Sequence, residues 1–138
     1  MKFSFETETQ LLPEQIWPLY ATIDNWFLWE DDLEAISLNG NFETGTTGNM
    51  KLKGQPSLSF ILTSAEKNQQ FTDKTSIPNI ADIYFQHELK QLNDMTLIKH
   101  SVEFIPKKQP PTREYLNFAA QIFSDVPASV FKLIEAAK

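Results

Sequence analysis

The chain has 138 residues, with 12 Lys and Arg against 18 Asp and Glu and a formal net charge of −6; that length suits one domain around one core, and a composition 41% hydrophobic and 22% charged sets aside disordered and fibrous classes. The acidic balance, with no basic run longer than Lys107-Lys108, argues against a nucleic-acid partner and against an anionic membrane surface. The absence of cysteine removes disulfides, thiolate nucleophiles and thiolate metal ligands.

In chain order, residues 2–9 alternate, with Phe3, Phe5 and Thr7 on one face and Lys2, Ser4, Glu6 and Glu8 on the other, which predicts a half-buried strand. Leu12-Pro13-Glu14 opens a short helix, because proline tolerates the first turn, and Ile16, Trp17, Leu19 and Tyr20 supply its apolar face. Asp24 is placed to cap a second short helix through Asn25-Trp26-Phe27-Leu28-Trp29, and the acidic run Glu30-Asp31-Asp32 returns the chain to solvent. From Leu33 to Phe104 the pattern predicts consecutive antiparallel strands: 33–38, 49–53, 57–65, 70–76, 81–92 and 95–105. Turn residues separate them, including Gly40, Gly45, Gly48 and the two-residue turn Asn93-Asp94. The proline-rich segment 106–111 is a connector. Beyond it, Thr112 and Glu114 offer a partial cap to a long amphipathic helix carrying Tyr115, Phe118, Ala119, Ile122, Phe123, Val126, Val130, Phe131, Leu133 and Ile134. Pro127 should kink this helix near Phe123-Ser124, where Ser124 or Asp125 recaps the second half. No internal repeat or long linker divides the chain, so residues 1–138 form a single α+β domain. Charges stand at Lys2 and Glu6 where a signal peptide would be apolar, and no run approaches the ~18 apolar residues of a membrane span. A cytoplasmic location without membrane insertion is therefore expected.

Four segments carry a family resemblance. Leu12-Pro13-Glu14-Gln15-Ile16-Trp17 is similar to the opening of the first short helix in the START/polyketide-cyclase-like (SRPBCC) superfamily. Asp24 to Trp29 resembles that superfamily's Asp-and-Trp region, and Gly40 to Gly48 its glycine-spaced stretch. Met95-Thr96-Leu97-Ile98-Lys99-His100 resembles its Gly-Thr-x-(Leu/Val)-x-His strand, with Met95 where glycine is usual. The resemblance spans nearly the whole chain. It implies a helix-grip fold: a curved antiparallel sheet of about seven strands wrapped around a long C-terminal helix, with two short helices after strand 1 and a cavity between sheet and helix. It does not choose among the lipid carriers, aromatase/cyclases, receptors and chaperone activators that the superfamily contains.

Strand parity says which residues face such a cavity. If Leu92 pairs with Met95, then Leu89 faces Ile98, His87 faces His100, Phe85 faces Val102 and Ile83 faces Phe104, all on the apolar side. The chain's only two histidines then stand side by side, pointing inward. They serve either as satisfied core groups, bonded to each other, to Asp73, to Thr96 or to water, or as polar anchors for a ligand, or as acid–base catalysts. Asp73, inward by parity, orients one of them if its strand is their neighbour. No third ligand presents itself for a metal, and Glu30-Asp31-Asp32 lacks calcium-loop spacing. The glycines precede no Lys-Ser/Thr, and no serine lies in a nucleophile-elbow pattern.

The first expectation is accordingly a protein that binds a small apolar or aromatic molecule, without a cofactor. Trp26, Phe60, Phe85, Ile98, Tyr115, Phe118 and Ile122 form the walls, and His87 and His100 the anchors. Trp26 and Trp29 either line the mouth or cover one end of the core. The alternatives are a cyclase- or dehydratase-type enzyme working through His87, His100 or Asp73, and an interaction module whose cavity is filled by its 11 phenylalanines.

Overall fold

The computed structural model describes residues 1–108, 110 and 112–138; of the connector predicted over 106–111, Gln109 and Pro111 lie outside the described residues. The elements run β1 (Lys2–Thr9), α1 (Pro13–Ala21), a 3-10 helix (Ile23–Leu28), β2 (Leu33–Leu38), β3 (Thr47–Leu52), β4 (Leu58–Glu66), β5 (Gln70–Ile77), β6 (Ala81–Leu92), β7 (Met95–Pro106), α2 (Arg113–Phe123) and α3 (Val126–Ala137). The seven strands form one antiparallel sheet in the order β1-β7-β6-β5-β4-β3-β2. Bulges in β2 and β4 bend the free end of the sheet. Both C-terminal helices lie against β7, and α3 also packs on β1 and α1. No helix among the described residues is long and apolar enough to cross a membrane.

Most local expectations are met for the physical reasons that suggested them. In β1 Phe3, Phe5 and Thr7 are half-buried, Thr9 is buried, and Lys2, Ser4, Glu6 and Glu8 are exposed. Proline occupies the first turn of α1, and the Gln15 side chain accepts a hydrogen bond from the Leu12 N–H at 2.8 Å. Thr112 caps α2 by accepting from the Tyr115 N–H at 3.3 Å. The β6–β7 register pairs His87 with His100 and Phe85 with Val102, and Asn93 takes a left-handed φ of 56° in the connecting turn.

Two expectations are corrected, on the second short helix and on Gly48, and a third is refined. The second short helix is 3-10, with Thr22 at its N-cap and Asp24 inside its first turn, because α1 closes through Thr22 N–H to Pro18 O and leaves no separate start for Asp24 to cap. The final helix breaks where the kink before Pro127 is expected, into α2 and α3. Ser124 Oγ donates to Gln121 O and closes α2, while Asp125 takes the next N-cap position without a side-chain cap bond. Gly48 is no turn residue: it lies inside β3, opposite Phe60. A Cβ there would stand 2.4 Å from Phe60 Cζ and 2.6 Å from the Ser37 carbonyl oxygen. Because that carbonyl belongs to the paired strand, it has little room to yield. Gly48→Ala is expected to cost about 1–3 kcal/mol, read as a lowered thermal midpoint.

The interior divides into two clusters. One gathers α1, the 3-10 helix, the inner faces of β4–β7 and α3 around Tyr20, Trp26, Trp29, Phe71 and Ile98. The other joins Ile83, Val102 and Phe104 to Ala119 of α2.

Candidate functional site

A cavity of about 790 Å³ borders both clusters, between the sheet and the α2–α3 joint. Thr75, Ile83, Phe85, His87, His100 and Val102 form its floor on β5–β7. Phe118, Ile122 and Val126 roof it, and Met50, Leu52 and Leu58 close the side toward the sheet's free end. The exposed residues Asp31, Asp32, Lys53, Gln121, Ser124 and Asp125 border its mouth, together with the half-buried Glu30.

Of the residues expected at its walls, Trp29, Phe85, His87, His100, Phe118 and Ile122 border the cavity, and Trp26, Phe60, Ile98 and Tyr115 do not. The reason is the position of α1. Tyr20, fully buried, is driven into the end of the groove beneath the 3-10 helix, where its ring meets Trp17, Trp29 and Phe71 with centroids 5.0–5.9 Å away. Trp26 closes that end over Phe60 and Phe71, its indole N–H donating to Tyr20 O at 2.8 Å. The Trp29 indole N–H donates to Leu19 O at 2.9 Å. Ile98, fully buried opposite Leu89, belongs to the same packed cluster, and Tyr115 rests on Phe104 at 5.6 Å. The fold therefore fills one half of its groove with its own aromatics and leaves the other half open.

The two histidines stand at the boundary between these halves. Their rings meet edge to face at 4.7 Å, and the His87 ring lies flat on Phe71 at 3.9 Å. His87 Nδ1–H donates to Phe71 O at 3.3 Å, which leaves Nε2 as an acceptor. Tyr20 O–H donates to His100 Nε2 at 2.7 Å. Thr96 Oγ1 turns away to Leu11 O at 2.6 Å. Burial pushes His87 down to about 3, and burial with the neighbouring His87 holds His100 well below the ordinary histidine range. Burial likewise raises the Tyr20 phenol, so at neutral pH the three groups form an uncharged hydrogen-bonding end wall.

Asp73 does not orient either histidine. Its strand is the neighbour of β6, but the register sets Asp73 opposite Phe85 and puts Phe71 opposite His87. Asp73 is 3% exposed, and burial first, then the Glu30 carboxyl, raises its pKa well above the carboxylate range. Glu30, expected in a solvated loop, is instead drawn against the cavity, because its N–H closes the 3-10 helix onto Trp26 O at 2.8 Å. Burial, aided by Asp125, Asp32 and Asp31, raises it to about 7.

Thr75, one turn of the strand pleat beyond Asp73 and on the same face, is 2% exposed and borders the cavity; its hydroxyl has no hydrogen-bond partner among the described residues. Sequence reasoning missed both Thr75 and Glu30. The parity that turns Phe71 and Asp73 inward applies equally to Thr75. Glu30 carries no such signal. Among the described residues no group of three or more His, Asp or Glu is arranged to hold a metal ion.

No protein-family model matches the chain, and neither does any curated protein. Solved structures do. Norcoclaurine synthase from Thalictrum flavum superposes with a TM-score of 0.73 at 13% identity, over 99% of this chain and 85% of that one. Ara h 8.0201 gives 0.71 at 16% identity over 98% of both chains. CalU16 from Micromonospora echinospora gives 0.63 at 13% identity over 96% and 75%. At these identities the likeness is one of fold, and the chain has the helix-grip fold of these proteins.

Proposed function

We propose that this protein binds a small apolar or aromatic molecule in the cavity between the sheet and the α2–α3 joint, with His87 and His100 as polar anchors. The observation that carries the reading is the cavity itself. About 790 Å³ lies within the ~300–1,000 Å³ of ligand sites, and apolar walls converge on a few fixed polar groups. A filled core would instead suit an interaction module, and only the half beneath the 3-10 helix is filled. A norcoclaurine synthase of this fold has been solved with dopamine and hydroxybenzaldehyde, two small aromatic molecules, which supports occupancy of this kind.

A second reading, acid–base catalysis, draws on the neutral His87 with its free Nε2 acceptor. It needs a group that takes up a proton during turnover, and burial disfavours the imidazolium at this depth.

The binding reading is tested with N-phenyl-1-naphthylamine, an uncharged aromatic dye that brightens in apolar surroundings. Wild type is expected to give a saturable rise in fluorescence. A variant carrying Ile122→Trp and Ala128→Trp, which adds bulk from the helical roof at positions that are not fully buried, should lose it while keeping its far-UV circular dichroism. No rise in wild type, or an undiminished rise in the filled variant, refutes the reading.

A further inference from the structure

The polar groups around this cavity are matched to one sign of charge. Thr75 Oγ1 is buried, borders the cavity and lacks a partner among the described residues. A buried hydroxyl without a partner costs free energy that a bound donor would recover. Asp73 projects from the same strand face, one pleat away, and is also more than nine-tenths buried. Neither Asp73 nor the cavity-lining Glu30 takes part in any ion pair among the described residues. The remaining charged groups at the mouth are Asp31, Asp32 and Asp125, with Lys53 as the single cation, and Asp31 is already engaged by Lys132. The histidines add no positive charge, being neutral.

From this arrangement we infer that the ligand carries a protonated amine on its apolar or aromatic body, the ammonium seated against Glu30 and Thr75, with the Asp73 carboxyl buried one pleat behind Thr75. The inference rests on the binding reading above and names the class of molecule. An ammonium offers N–H donors and one positive charge; the Glu30 carboxyl and the Thr75 hydroxyl accept donors at the cavity wall, and the Glu30 and Asp73 carboxyls both favour that charge. An anionic ligand would meet the same carboxyls with the opposite sign. A neutral one would fill the apolar part and leave the carboxyls uncompensated.

The carboxyls also dictate how binding depends on pH. Glu30, pushed up to about 7, is largely protonated at about pH 6 and largely ionised at about pH 8. An incoming ammonium displaces that proton, so the amine binds more tightly as pH rises through this window. Neither histidine titrates in the window, and an aliphatic amine stays protonated across it.

The test compares phenethylamine with 2-phenylethanol, its near-isosteric alcohol, titrated calorimetrically into the full chain at both pH values. Phenethylamine is expected to bind about tenfold or more tightly than the alcohol at the higher pH, the size of a charge-assisted hydrogen bond, with the ratio narrowing at the lower pH. Glu30→Gln should abolish most of that preference and its pH dependence, and Thr75→Val should reduce the amine's affinity severalfold. Because Glu30 is only half-buried, the first variant does not depend on an altered core. Equal or tighter binding of the alcohol, or a preference that survives Glu30→Gln, overturns the inference and leaves cavity binding standing. If neither compound binds but the naphthylamine dye does, the amine inference falls alone. If the dye fails too, both fall.

Discussion

Trp29→Ala is expected to remove about 3–5 kcal/mol of stability, the range for deleting a large buried aromatic. The side chain is 1% exposed and touches Tyr20, Trp26, His87 and His100 with ring centroids 5.7–5.9 Å away. Its indole N–H also satisfies the Leu19 carbonyl of α1, so the truncation opens a void and strands an acceptor together. Because Trp29 holds α1, the 3-10 helix and the histidine wall in one cluster, the void cannot close by a local shift. Denaturant unfolding should show a lower midpoint with an unchanged slope. A loss below about 1 kcal/mol would mean that this half of the groove is not the packed cluster described here.

The second large effect is on acid stability. In the unfolded chain His87 titrates near 6.5, and in the folded protein only near 3. Between those values the unfolded state binds the proton and the folded state does not, so stability is lost as pH falls through the window. At about pH 4.5 the loss assigned to His87 is roughly 3 kcal/mol. Glu30 and Asp73 act in the opposite sense. Their folded values are raised, so the folded state holds protons that the unfolded chain releases, and falling pH stabilises the protein through them.

The wild-type profile mixes the two, and His87→Phe separates them. Phenylalanine keeps the flat stacking on Phe71 and forfeits one 3.3 Å hydrogen bond. The variant should lie within about 1 kcal/mol of wild type near neutrality and exceed it by roughly 3 kcal/mol at about pH 4.5. Parallel pH profiles for the two proteins would show that His87 is not held neutral by burial.

Much of the fold was legible because alternation and turn length constrain each other. Two residues, Asn93 and Asp94, join β6 to β7, and a slip of one position would turn an apolar face to solvent. The pairing of His87 with His100 followed from that alone. The break before Pro127 was legible for a similarly local reason, the missing N–H of proline in a helical run.

The site was less legible. Parity tells which face of a strand is inward, but not which stretch of that face another element covers. Ile98 and Phe60 have the expected orientation and still lie under packed aromatics, because α1 places Tyr20 there. Glu30 lies at the cavity because the preceding segment winds as a 3-10 helix, whose narrower turn and longer rise per residue change where the chain emerges. The composition of Ile23–Leu28 does not announce that choice. Gly48 reads as a turn residue because it ends the glycine-spaced stretch, whereas its need for a bare Cα comes from Phe60 on the neighbouring strand.

The most direct test of the central claim is a two-dimensional amide NMR titration of the labelled protein with N-phenyl-1-naphthylamine. Saturable shifts should concentrate at Thr75, Phe85, His87, His100 and Val102 on the sheet and at Phe118, Ile122 and Val126 on the helices, with the convex face of the sheet unmoved. Shifts confined to that convex face, or none at dye saturation, would contradict a ligand site between the sheet and the α2–α3 joint.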